Sequence, residues 1–192
     1  LDASIFGAWN AEASGTSLDT SIYGAWNGDG ITATSSLTTS LYAAYRADNN
    51  ANDTFGTNNG TVVGSVTYAE GKSGNGFVFN GSNSYIQLPN NSMRFTNSFS
   101  VSFWVKTSAN PSSSKGLFSD YYWGSNNWGY SIDMKSDSTV RIYWRNGSTD
   151  NVLSTTTSVN LNQWNHVVVA WDKPSTTWKI YLNGLLGMKK TL

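Results

Sequence analysis

The chain has 192 residues, twelve basic and twelve acidic side chains and no cysteine. Disulfides and thiolate metal sites are therefore excluded, no basic patch is dense enough for a nucleic-acid groove, and no apolar run is long enough for a membrane-spanning helix. Abundant Ser, Thr, Asn and Gly, with nine Trp and ten Tyr, predict a surface solvated by hydroxyls and amides, a composition common in exterior, adhesion and fibre proteins.

The first 36 residues are repetitive. SIFGAWN (Ser4–Asn10), SIYGAWN (Ser21–Asn27) and SLYAAYR (Ser40–Arg46) are three copies of one motif, and each follows a Leu three residues earlier. The first two copies run into short polar stretches, and only the third opens a long patterned domain. Residues 1–45 hold no Lys or Arg but carry Asp2, Glu12, Asp19 and Asp29. One copy cannot bury its own Phe or Trp. The segment reads either as a Ser/Thr/Gly-rich linker or as a docking element, since exposed Trp at fixed spacing is otherwise an aggregation hazard. The chain begins with Leu and no charged-then-apolar signal, as expected of a mature form or a piece of a longer product.

From residue 40 onward the period is two. Phe99, Val101, Phe103 and Val105 alternate with Ser100, Ser102 and Trp104. Val140, Ile142 and Trp144 alternate with Arg141 and Tyr143; Trp178, Ile180 and Leu182 alternate with Lys179, Tyr181 and Asn183. His166–Trp171 is more continuously apolar, the pattern of a strand covered on both faces. Asn80-Gly81, Asn146-Gly147 and Asn183-Gly184 mark turns. The fold class is all-β, an antiparallel β-sandwich or jelly roll, with Trp104, Trp164, Trp171 and Trp178 expected in its core.

Four stretches carry a family resemblance: LYAAYRADNNANDTFGTNNGT (Leu41–Thr61), GKSGNGFVFNGSNSYIQLP (Gly71–Pro89), FSVSFWVKT (Phe99–Thr107) and WNHVVVAWDKPSTTWKIYLNG (Trp164–Gly184). In this order they resemble the laminin G-like domains of the concanavalin A-like lectin/glucanase superfamily, over roughly residues 40–188, within a domain expected at residues 37–192. The resemblance implies two curved antiparallel sheets with ligands on the concave face or loop rim. Such domains usually continue past the strand at Trp178–Gly184, including one strand that pairs beside the first. The sandwich is therefore expected either to lack its last strands or to be completed by another segment. Because the repeats copy the domain's first strand, they could fill strand-shaped vacancies in this chain or a neighbour's.

Glucan-cleaving members of the superfamily resemble one another in an E-x-D-x-x-E strand bearing nucleophile and acid. This sequence has only Glu12 and Glu70, with no second acid at strand spacing. The resemblance implies that its single His, His166, is a structural strand residue. Ser and Thr without a base are not nucleophiles, so the sequence argues against an enzyme. The five Asn-x-Ser/Thr sequons are expected by chance in this composition.

Two clusters remain. Asp48, Asn50 and Asp53 gather oxygen donors that suit Ca2+, and equally suit an Asn/Asp-rich turn bonding its own backbone. Asp120–Tyr130, DYYWGSNNWGY, packs five aromatics among polar side chains and glycines. Rings stack on the apolar faces of sugars, while Asn, Asp and Arg bond the hydroxyls. The candidate ligand-binding residues are Asp120, Tyr121, Tyr122, Trp123, Asn126, Asn127, Trp128, Tyr130 and Arg145, with Trp144 a possible neighbour or core residue. The expectation is a non-enzymatic carbohydrate-binding or adhesion module of an exterior appendage, a virion fibre or decoration protein, extracellular or on the virion surface. Its partners would be a cell-surface glycan and, through residues 1–36, other chains of a homo-oligomer or virion assembly. The alternative is a purely structural virion or fibre component anchored by the repeats.

Overall fold

The structure is a computed structural model that describes residues 7–11, 41–90, 92–120, 129–146 and 149–192. Its strands in chain order are β1 (Gly7–Ala11), β2 (Leu41–Tyr45), β3 (Thr61–Val63), β4 (Thr67–Glu70), β5 (Asn75–Val78), β6 (Tyr85–Gln87) and β7 (Phe99–Val105). There follow β8 (Lys115–Ser119), β9 (Gly129–Met134), β10 (Thr139–Asn146), β11 (Thr149–Ser158), β12 (Asn165–Asp172), β13 (Thr177–Leu182) and β14 (Leu185–Thr191). Every pairing among them is antiparallel.

A six-stranded sheet runs β14-β13-β12-β7-β1-β2, and a four-stranded sheet runs β11-β10-β9-β8. Their inner faces supply one apolar cluster. Val101, Phe103 and Val105 of β7, Val167 and Val169 of β12 and Ile180 of β13 come from the larger sheet; Ile132, Met134, Val140 and Ile142 come from the smaller. All ten are fully buried, each contributing roughly 1.5–3 kcal/mol for its size. This is the jelly-roll sandwich that the alternating pattern predicts. Two short ladders, β3-β6 and β4-β5, complete the domain.

The apolar run of β12 has the predicted cause. Val168 and Ala170 are buried on the opposite face of the large sheet from Val167 and Val169. Ser100 and Ser102 lie beside them in register and are also buried. The turn at Asn183-Gly184 has both residues at positive φ, 52° and 80°, as a two-residue type I′ hairpin requires.

The tryptophans divide. Trp178 is buried and Trp171 packs against the core. Trp104 and Trp164, expected inside, are not core residues. Trp104 shares the row of Ser100 and Ser102, so strand alternation turns it away from the sandwich interior. It stacks on His166 with ring centroids 4.8 Å apart, and the Lys72 ammonium lies 5.0 Å from its ring. Trp164 carries Lys106 at 5.0 Å in the same manner.

The first motif copy is part of the sandwich. β1 lies between β2, which is the third copy, and β7. The neighbour that completes the sheet beside the domain's first strand thus comes from the N-terminal repeats.

Candidate functional site

The aromatic segment is the connection between β8 and β9. Its stem is held by register and by one further hydrogen bond: Phe118 and Ser119 face Ile132 and Ser131, and the Asp120 N–H donates to the Tyr130 carbonyl at 3.0 Å. Tyr121, Tyr122, Trp123, Asn126, Asn127 and Trp128 lie outside the described residues. The stem fixes where their segment leaves and re-enters the four-stranded sheet.

Asp120 is largely buried at this point, and Arg94 Nε lies 3.6 Å from its Oδ2. Burial raises the carboxyl above the usual aspartate range, and Arg94 offsets part of that rise. Arg94 carried no signal in the sequence, because it sits in the irregular stretch before β7 and meets Asp120 only through the fold.

Tyr130 does not serve as a surface contact. It is 5% exposed, its ring packs on Phe99, Phe118 and Trp178, and its hydroxyl donates to the Met93 carbonyl at 3.2 Å. Burial first, then Asp120, pushes the phenol well above its usual range. The cause is parity: Tyr130, Ile132 and Met134 share the inward face of β9. Trp144 stands opposite Tyr130 in the ladder and is buried with it. Arg145, one residue on, faces away from the core. It pairs with Gly129 at the loop stem and with Asp150 of β11, and its Nε lies 3.2 Å from Asp150 Oδ1. Of the predicted residues, Asp120 and Arg145 therefore flank the two ends of the aromatic segment, with Arg94 and Asp150 as their counter-ions.

The other predicted cluster satisfies its own backbone. Asp53 Oδ1 accepts from the Ala44 and Phe55 N–H groups, each at 3.0 Å, and Oδ2 accepts from Asn58 N–H at 3.1 Å. Burial would raise the Asp53 carboxyl, but N–H donors from Gly56, Ala44, Phe55 and Asn58 outweigh it and the net shift is downward. Asn50 Oδ1 accepts from Asn52 N–H, and its amide donates to the Asp48 carbonyl, both at 2.8 Å. A calcium ion at Asp53 would face those N–H groups, so the arrangement fits an Asx-type turn better than a cation. Among the described residues no group of three or more His, Asp or Glu side chains is placed to hold a metal.

His166 is built into the sheet. Its Nε2 is 2.8 Å from Ser102 Oγ, and burial lowers its pKa to about 4. Two strand acids are engaged in ion pairs elsewhere: Asp133 with Arg141 at 2.7 Å and Asp150 with Arg145.

A sequence profile of the concanavalin A-like lectin/glucanase superfamily matches residues 80–191. The chain belongs to that superfamily, and its match is to the laminin G-like branch. No curated protein sequence matches it. Among solved structures, it is similar to domain 4 of AbnA, an extracellular GH43 arabinanase from Geobacillus stearothermophilus, in complex with arabinotriose. Identity is 24% and the TM-score is 0.58, over 74% of this chain and 70% of that one. It is also similar to an S-layer domain-containing protein from Clostridium thermocellum, at 22% identity and TM-score 0.48, over 73% of this chain and 65% of that one. A third likeness is the CBM40 of a Ruminococcus gnavus sialidase bound to sialyllactose, at 18% identity and TM-score 0.42, over 48% of this chain and 52% of that one.

Proposed function

We propose that the chain is a non-enzymatic carbohydrate-binding module that works outside the cell, and that it binds a cell-surface glycan through the β8–β9 segment. The observation that carries the reading is that four aromatics, Tyr121, Tyr122, Trp123 and Trp128, and two amides share one segment on a pinned hairpin stem, flanked by Asp120 and Arg145. Rings provide stacking faces for pyranose or furanose C–H groups, and the flanking charges provide hydroxyl partners. Superfamily membership and the likeness to an arabinotriose-bound domain of an extracellular enzyme support it. In the finer reading the module belongs to a virion fibre or decoration protein, and the composition and the N-terminal repeats favour that setting.

A specific observation favours a second reading, a structural component with no glycan ligand. The first motif copy pairs within the sandwich, so that copy sets strand order rather than serving as a loose tether. A glycan array probed with the whole chain separates the two. Saturable binding to one oligosaccharide class, lost in Trp123→Ala and Tyr121→Ala at unchanged Tm, is expected. Binding to no glycan, by folded chain at high micromolar concentration, overturns the carbohydrate reading and leaves the structural one.

A further inference from the structure

The motif copies pair with each other in a particular way. In the β1–β2 ladder Ala8 stands opposite Ala44, its equivalent in the third copy. Gly7 stands opposite Tyr45, and Trp9 opposite Ala43. Positions equivalent between copies are Gly7 and Ala43, Ala8 and Ala44, Trp9 and Tyr45. A small residue therefore meets an aromatic position on both sides of a central Ala–Ala pair. The small-Ala-aromatic motif is self-complementary in antiparallel register. On its other edge β1 pairs with β7, Ala8 with Ser102 and Trp9 with Val101.

The second copy spells the same strand. Gly24-Ala25-Trp26-Asn27-Gly28 repeats Gly7-Ala8-Trp9-Asn10-Ala11 with only the last residue changed. We propose that the groove between β2 and β7 is a strand-acceptor site for this motif, and that Gly24–Gly28 of the same chain is its alternative occupant, displacing Gly7–Ala11. In the observed register Asn10 lies opposite Leu41, so the occupant must return to Leu41 by a hairpin connection. A few residues suffice for that. The first copy closes over residues 12–40 and the second over residues 29–40. The shorter loop favours the second copy by about fourfold. Gly28 in place of Ala11 disfavours it by roughly two- to fivefold. The two effects offset each other, so both occupants hold comparable shares, and whichever copy is displaced is left as a free strand of the same motif.

The absence of native cysteine makes the test clean. Ala44 turns its N–H to Asp53 and its carbonyl to Thr54, so it forms a non-hydrogen-bonded pair with Ala8. Cα atoms in such a pair are about 4.5 Å apart, within disulfide range. Full-length A8C/A44C and A25C/A44C are oxidised under redox buffer, and the intrachain disulfide of the monomer is quantified by mass spectrometry. Intrachain cross-linking of both, with equilibrium extents within about fivefold of each other, is expected. Cross-linking of A8C/A44C alone, or of A25C/A44C only between chains, overturns the proposal. Failure of both overturns the acceptor groove. An independent readout uses proline, which removes ladder donors. A8P/N10P and A25P/N27P should each keep a cooperative melt near that of the parent, whereas the four-proline chain melts well below either. A first-copy variant as unstable as the four-proline chain also overturns the proposal.

Discussion

The Asp53 carboxylate and the Ala44 backbone N–H are joined by a 3.0 Å hydrogen bond that ties the Asx loop to β2, the strand that pairs with β1. With the Phe55 and Asn58 N–H groups sharing the same carboxylate, the charge is held by fixed donors. Asp53→Asn keeps the shape and removes the charge. Hydrogen bonds to a charged group contribute about 1.5–3 kcal/mol, so a fall in Tm of roughly 5–10 °C is expected for a domain this size. The pH dependence has a definite sign. The folded pKa of Asp53 lies below its unfolded value, so its contribution is complete above about pH 4 and is lost as pH falls through the folded value. Thermal melts from pH 2 to 5 should slope upward in the parent and less so in Asp53→Asn.

His166 titrates in a separate window. Its folded pKa is lowered to about 4 by burial, beside Trp104 and Ser102, with the Lys72 ammonium 5.0 Å from the Trp104 ring centroid. A lowered base pKa means that the unfolded chain binds the proton more readily. Stability is therefore level above about pH 6.5 and declines as pH drops toward about 4. Equilibrium urea unfolding at pH 7.5 and pH 4.5 should show a loss for the parent and a smaller one for His166→Phe. Equal losses would show that His166 is already protonated in the fold at pH 4.5.

Calcium discriminates between the two readings of the same loop. With Asp53 facing backbone donors and Asn50 bonded to Asn52, millimolar Ca2+ should leave Tm unchanged, and isothermal titration should give no heat above dilution. A rise of several degrees that EDTA reverses and Asp48→Ala abolishes would require the loop to rearrange around the ion.

The strands and their parity were legible because period two is a direct consequence of backbone geometry. Phe99–Val105 reads off the sequence with the bounds and facing that the fold gives it. Parity also contained two corrections that the residue types masked. Tyr130 alternates with the inward residues of β9, and Trp104 with the outward serines of β7, but an aromatic is equally at home in a core or at a ligand. The arrival of Arg94 beside Asp120, and of β1 between β2 and β7, depends on contacts between residues far apart in sequence. The repeat made the second of these a hypothesis; the register made it specific.

The close passage of β14 over β11 predicts a steric effect. A Cβ added to Gly187 would lie 3.1 Å from Thr155 Cα and 3.3 Å from its Cβ. Those are backbone-fixed atoms, so the strand must move rather than a flexible tip. The same edge carries Lys190, whose Nζ donates to Asn151 at 3.0 Å and sits 5.6 Å from the Trp144 ring. Gly187→Ala should cost about 1–3 kcal/mol in urea unfolding and raise hydrogen exchange in β14 selectively. No change in either would mean that the edge is looser than the contact distances imply.

Core and loop aromatics should separate cleanly by assay. Trp178 is packed on Phe99, Trp144 and Trp171 with centroids 5.0–5.6 Å away, so Trp178→Ala should cost about 3–5 kcal/mol and lower Tm sharply. Tyr130→Phe removes one hydroxyl hydrogen bond and should cost about 1 kcal/mol while leaving any glycan affinity within twofold. Trp123→Ala should do the reverse, with Tm unchanged and glycan affinity down by roughly tenfold or more, by analogy with a nucleobase stacked on an aromatic ring, which amounts to about 1–3 kcal/mol. The three variants form an internal control. If Tyr130→Phe weakened binding as much as Trp123→Ala at equal stability, the ligand would have to reach beneath the hairpin stem, and the site would belong between the sheets rather than on the β8–β9 segment.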